Sequence, residues 1–391
     1  MKTSVLLLSL LAGVSTSGAA TLTVGPHGQY ATPCAALHSI SDGDSVFVDA
    51  NNGIPYTEPA DPTHRGRSDC RITNSHLTIK GINGTPILDA TGELIEKGIF
   101  VLDGHDITVD NFEFRNANDL TNPTSSNNAA GIRIEDGSEA APAGGNITVR
   151  HCYIHDNGDG ILSGNAGPGV GAWFSPNPYL LFDYDNFAHN GIDGDGHTHN
   201  MYIGAGGNMD FTLRNSVSVD AVFGHTLKSR APINHILYNR IGDASGKTSY
   251  ILNFPLGGTT FIIGNVLYKT AVTDPNANPN FMVWRDVYDN APSDPEYGPP
   301  HEDLHFIDNF VVDDNPSSSD AFVAISCALP SSDSCAAPAN GPVLTTPAYI
   351  KGNVFTGQPI HVTNQPNARV EYNLVVPFTK VNPAAQFMNK F

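Results

Sequence analysis

Apolar and polar positions alternate along most of this chain, and the alternation comes in a repeating unit. Four or five alternating β-formers are followed by Asn or another polar residue, then by two or three more apolar residues. The unit recurs as ITVDNFEFRN (107–116), ITVRHCYIHDN (147–157), LLFDYDNFAHN (180–190), FTLRNSVSVD (211–220), HILYNRIGD (235–243), FIIGNVLYKT (261–270), LHFIDNFVVDD (304–314), AYIKGNVFTG (348–357) and ARVEYNLVV (368–376). A second short strand lies between successive copies, as in GIRIEDG (131–137), HNMYIGAG (199–206), HTLKSRA (225–231), TSYILNF (248–254) and NFMVWRD (280–286). Period-2 alternation in short runs predicts strands, and no such unit buries its apolar face alone, so the units must stack. The shortest repeats start 20 to 26 residues apart, too close for four-stranded propeller blades. The pattern predicts an all-β protein: a single right-handed parallel β-helix of about nine or ten coils. The recurrent Asn is expected to occupy a left-handed turn and to stack on its copies as a ladder of amides.

The boundaries follow from the same reading. Residues 1–20, MKTSVLLLSLLAGVSTSGAA, have a charged start, an apolar core and a small-residue end, the pattern of a cleaved secretory signal. Residues 21–75 are expected to form a cap and first coil, 76–376 the solenoid and 377–391 a tail. Secretion permits disulfides, and Cys34 with Cys70 and Cys327 with Cys335 are the expected bridges, Cys152 being a buried thiol. Asn83 and Asn146 head glycosylation acceptor triplets.

With 20 Lys and Arg against 39 Asp and Glu, the formal charge is −19. Such a field repels phosphate, which argues against nucleic acids and anionic membranes as partners. It makes the stretch GHTLKSRA (224–231), with His225, Lys228 and Arg230 close together, the most informative in the chain.

The repeats with their Gly-Asn turns, together with HNMYIG, FGHTLKSRA, YNRIGD and SYILNFPLGG, resemble the pectate-lyase-like superfamily of right-handed β-helix proteins over roughly residues 75–375. The resemblance implies a Lys or Arg base and a carboxylate-bound cation.

Aligning the second strands by their apolar positions puts Met201, Leu227 and Ile251 inward. It puts Tyr202, Lys228 and Leu252 outward, with Arg133, Leu162 and Trp284 on other coils. Asn200, Thr226 and Tyr250 share a second outward position, His199 and His225 align at the strand starts, and Arg230 faces out beside Lys228. The preceding loop, HNGIDGDGHTHN (189–200), adds Asp193, Asp195 and His197 as a candidate metal set, Ca²⁺ being the ion such carboxylates suit. The expected chemistry is β-elimination on an acidic, uronate-containing polysaccharide. Lys228 is the expected base, with Arg230 pairing the substrate carboxylate and lowering the pKa of its neighbouring lysine. His225, His199 and Tyr202 serve proton transfer, and Arg133, Asn200, Trp284 and Arg285 bind substrate. Two other readings remain: a polygalacturonase-like hydrolase using Asp193 and Asp195, and a non-catalytic carbohydrate-binding or adhesive solenoid. The protein is expected to act outside the cell as a monomer.

Overall fold

The computed structural model describes residues 18–58, 69–93, 95–118, 129–135, 144–164, 173–194, 196–204, 208–274, 277–284, 301–316, 321–325, 346–359 and 361–377. Their strands form three long sheets, one of twelve strands and two of ten, and every pairing between the strands is parallel. The chain visits the sheets in turn. One coil runs from Asp210–Arg214 in the first sheet to Val217–Val219 in the second and Leu227–Ser229 in the third, then re-enters the first at Ile233–Leu237. This is a solenoid wound around a single apolar core, and the two ten-stranded sheets give it ten coils.

Alternation fixes what fills the core. Along the third sheet, Ile132, Ile161, Met201, Leu227, Leu252 and Met282 stack in one inward column, all fully buried. The neighbouring outward column runs Arg133, Leu162, Tyr202, Lys228, Asn253, Val283. Each buried aliphatic or aromatic side chain contributes about 1.5–3 kcal/mol, and coil upon coil these sum into the stability of the stack. At one end the core is closed by the short helix Pro33–Leu37, started by Thr32 as N-cap, whose Pro33, Cys34, Ala36 and Leu37 face inward. The Cys34–Cys70 disulfide ties this cap to the third sheet, as expected, and Cys152 is a free buried thiol. Residues 1–17 of the signal segment, the tail beyond 377, and Cys327 and Cys335 lie outside the described residues.

In the later coils the recurrent Asn residues form a ladder without being left-handed themselves, whereas Asn111 and Asn215 of earlier repeats do take the expected positive φ (66° and 52°). Asn239, Asn265, Asn309, Asn353 and Asn373 hand on hydrogen bonds from coil to coil. Each amide nitrogen reaches the next amide oxygen at 2.8–3.1 Å, and that oxygen also accepts the backbone N–H of the Asn before it. The positive φ belongs to the residue just before: Tyr238 (58°), Gly264 (69°), Asp308 (54°), Gly352 (71°) and Tyr372 (55°). That twist turns the Asn side chain into the corner, where buried backbone groups need partners. In the earlier coils Cys152, Asp185 and Ser216 occupy the same column and pass on the same backbone bonds.

Candidate active site

The site lies where the chain enters the third sheet on the fifth to seventh coils of that sheet. The strand Met201–Ile203 pairs with Leu227–Ser229, placing Tyr202 directly beside Lys228. Arg230, two residues beyond, aims back across the coil. Its Nη1 donates to the Tyr202 hydroxyl at 2.5 Å, and its guanidinium carbon lies 5.5 Å from the Tyr202 ring centre. The Lys228 amine lies 5.7 Å from the same centre. Two cations therefore flank one phenol, and a cation donating to a phenol oxygen stabilises charge that develops on it.

Beside them runs a second column. The Asp159 carboxylate accepts the His199 N–H at 2.7 Å. His199 Nδ1 accepts the His225 N–H at 3.0 Å, and His225 Nδ1 accepts the Tyr250 N–H at 3.2 Å. The His199 ring stacks on Tyr202 (5.8 Å, 10°) and on His225 (4.6 Å, 18°). An imidazole whose Nδ1 accepts a hydrogen bond carries its proton on Nε2 when neutral. Burial, followed by the nearby charges of His225, Lys228, His197 and Arg230, holds His199 well below the ordinary histidine range. Burial with Lys228 and Lys269 does the same to His225. Burial and the nearby cations favour the neutral rings, and with Nδ1 accepting a backbone N–H each neutral ring carries its proton on Nε2. The Gly of GHTLKSRA is required by this arrangement: a Cβ on Gly224 would collide with the Thr198 carbonyl and come within 2.8 Å of His199 Nδ1.

Tyr250 is a member of the site that alignment by apolar positions misplaces by one residue. Leu227 pairs with Leu252, not Ile251, and Lys228 with Asn253. The shift puts Tyr250 in the histidine column, where its ring meets His225 edge-on at 5.2 Å and its hydroxyl accepts from Asn278 at 2.7 Å. The turn that delivers it is organised from within. Asp243 accepts the N–H groups of Ser245, Gly246 and Thr248, and the buried Lys269 amine donates to the Thr248 and Ser249 carbonyls. Burial lowers Lys269 to about 8, against the opposing pull of Asp243 and Asp313.

Two expected substrate contacts are corrected, the first by the same slip and the second by burial at a corner. Trp284 aligns with Phe254 and Ile325 and is fully buried, so Val283 takes the outward place assigned to it. Asn200 is also fully buried. Its oxygen accepts from Asn190, and its amide donates to Ser218 and the Val219 carbonyl, so it serves the corner of the coil rather than a ligand. Arg133 does lie in the outward column, one coil beyond Leu162, and meets Glu135 at 3.3 Å. Arg285 and Asp195 lie outside the described residues, while Asp193 and His197 are exposed on their loop. The amide of Asn83 is exposed and donates to Asp49, and that of Asn146 donates to Asp106.

Comparison with known proteins agrees with the architecture. The family model described as "Right handed beta helix region" matches residues 65–265. The chain belongs to this family. No curated protein matches it. Among solved structures it is similar to the pectin methylesterase PemA from Erwinia chrysanthemi (14% identity, 93% of this chain and 94% of that chain covered, TM-score 0.42). It is also similar to the A-module of the mannuronan C-5 epimerase AlgE6 from Azotobacter vinelandii (12%, 88% and 94%, TM-score 0.40). A third similar structure is YbhC from Escherichia coli (9%, 96% and 88%, TM-score 0.41). None of these likenesses carries the functional argument, which rests on the residues of the site.

Proposed function

We propose that this protein is a secreted, monomeric enzyme that cleaves an acidic, uronate-containing polysaccharide by β-elimination. The observation that carries the reading is the stacking of Tyr202, Lys228 and Arg230 against one another in a chain of formal charge −19. Concentrating scarce cations at one outward patch suits an anionic substrate that the rest of the surface repels.

The roles follow from the geometry. Arg230 sits at the patch where a uronate carboxylate would bind, and neutralising that carboxylate acidifies the adjacent C5 proton. The Lys228 amine, when unprotonated, takes that proton. The electron pair forms the C4–C5 double bond as the C4–O bond breaks, and Tyr202, polarised by Arg230, gives its proton to the leaving oxygen. His199 and His225 contribute Nε2–H donors beside the developing charge. A Ca²⁺ ion on the 193–197 loop would add a second positive charge for the carboxylate. Hydrolysis would need two carboxylates facing one sugar. Asp159, the carboxylate in the histidine column, is buried and committed to the His199 N–H.

The test is a panel of galacturonate, glucuronate, mannuronate and guluronate polymers beside neutral ones, with and without EDTA. Elimination creates an unsaturated sugar end, conjugated with the carboxylate, that absorbs ultraviolet light where the intact polymer does not. New reducing ends without that absorbance would replace the reading with hydrolysis, and retention of polymer without cleavage would replace it with binding alone.

A further inference from the structure

A different group of side chains meets at the corner where the chain enters the first sheet. His76 and Asp106 occupy the same corner position on successive coils, as does Asn146 on the next, all with left-handed backbones (φ 59°, 55° and 52°). The coils are knitted there by His76 N–H to the His105 carbonyl (2.9 Å) and Leu77 N–H to the Asp106 carbonyl (3.1 Å). Stacked corners project their side chains in a row, and His105, the neighbour of Asp106, folds into the same space. The ligand atoms of His76, His105 and Asp106 all lie within 4.8 Å of one another, the one such group among the described residues.

We propose that His76, His105 and Asp106 form a zinc-class divalent metal site that pins two successive coils at the N-terminal end of the solenoid. Three observations point this way. First, both histidines direct Nδ1 at the same carboxylate oxygen, Oδ2, at 3.4 Å from His76 and 2.7 Å from His105. Ligands about 2.0–2.2 Å from a tetrahedral zinc ion lie about 3.4 Å apart, so the His76 separation already fits and the His105 contact needs to open by less than an ångström. Second, the partners of the ligands are already in place. Asn146 Nδ2 donates to Asp106 Oδ1 at 2.9 Å, leaving Oδ2 for the histidines, and Phe174 stacks on the His105 ring at 3.3 Å and 10°, fixing its plane. Partners of this kind orient metal ligands and set their affinity. Third, the local charge favours a cation. Asp42, held by Asn74 and the Ser75 N–H, interacts electrostatically with both histidines. Two imidazoles and one carboxylate suit a borderline ion such as Zn²⁺ better than Ca²⁺, which takes oxygen ligands. Three protein ligands leave one position for water, and His76 is exposed, so the ion has an entry path.

The test uses the full chain freed of metal by a chelator and titrated calorimetrically with zinc chloride, with Co²⁺ absorption spectra as a second readout of the ligand set. We expect one high-affinity Zn²⁺ per chain, a raised melting temperature with zinc, and a loss of about a hundredfold in affinity in His76→Asn and in His105→Asn. Asn is chosen at 76 because it tolerates the left-handed backbone, so that variant keeps its fold; circular dichroism checks this for both. His197→Ala should bind as the unaltered chain does. The proposal is overturned if the unaltered chain binds no zinc, if both Asn variants bind it equally well, or if His197→Ala alone abolishes binding.

Discussion

Replacing Asn309 by Ala tests whether the amide ladder holds the coils together. The Asn309 side chain makes four hydrogen bonds: its oxygen accepts from the Asn265 N–H (2.9 Å) and Asn265 Nδ2 (3.0 Å), and its nitrogen donates to the Ile262 carbonyl (2.8 Å) and Asn353 Oδ1 (3.0 Å). Truncation does not orphan all four partners. Asn265 Nδ2 keeps the Ile236 carbonyl, and Asn353 Oδ1 keeps the Asn309 N–H. The Asn265 N–H and the Ile262 carbonyl lose their ladder partner in the interior, where each unsatisfied group costs about 1–3 kcal/mol. For the two groups together the expected loss is therefore about 2–6 kcal/mol. Asn373, on the last coil, makes the same kind of bonds to Asn353 and Ile350 but is only half-buried, so water replaces them and the loss there is about 1 kcal/mol. Equilibrium urea unfolding of both Ala variants, followed by circular dichroism, measures the contrast. A loss at 309 no greater than at 373 would refute the reasoning, because it would mean that buried ladder amides and half-exposed ones are worth the same.

Three further outcomes are expected. Lys228→Ala should abolish cleavage of the responsive polymer while changing stability by no more than about 0.5 kcal/mol, since the residue faces outward; a large fall in melting temperature with activity retained would make Lys228 structural. Because His199 and His225 are held neutral when folded but take up protons when unfolded, stability should drop as pH falls from about 7 to 5. The double variant His199→Gln/His225→Gln should flatten that slope in urea titrations, and an unchanged slope would contradict the neutral pair. Lys269→Met should cost about 3–5 kcal/mol by leaving the buried Asp243 and Asp313 uncompensated, with denaturant midpoints as the measure; a neutral substitution would show that water or rearrangement satisfies them.

Much of the solenoid is legible in linear order because period-2 alternation and a recurrent Asn are both local signals. Register is less so. Ile251 and Leu252 are both apolar and both fully buried, so hydrophobicity does not choose between them. The choice is made by backbone bonds such as Ile251 N–H to the Phe281 carbonyl. The run Phe281–Trp284 has no alternation at all, so the outward placing of Trp284 had no pattern behind it, and the residue is buried. Asn200 misleads for another reason: a polar residue in a strand context reads as outward, yet at a corner it satisfies buried backbone groups. The pairing of Tyr202 with Lys228 could be read because each follows an unambiguously apolar residue, Met201 and Leu227, and those two set the register. The His76, His105 and Asp106 group carries no linear motif, and only the stacking of corners brings it together.

Tyr202 and Lys228 are neighbours because they sit on consecutive turns of the winding, whatever number of residues the turn between them holds. An insertion that leaves the strands Asp210–Arg214 and Val217–Val219 and the Gly224–His225 turn in place could therefore run out as a surface excursion without disturbing the pair, whereas one whole extra turn would set them two strand spacings apart. Tolerance to insertion is thus quantised by geometry: free at the rims, forbidden in the rungs.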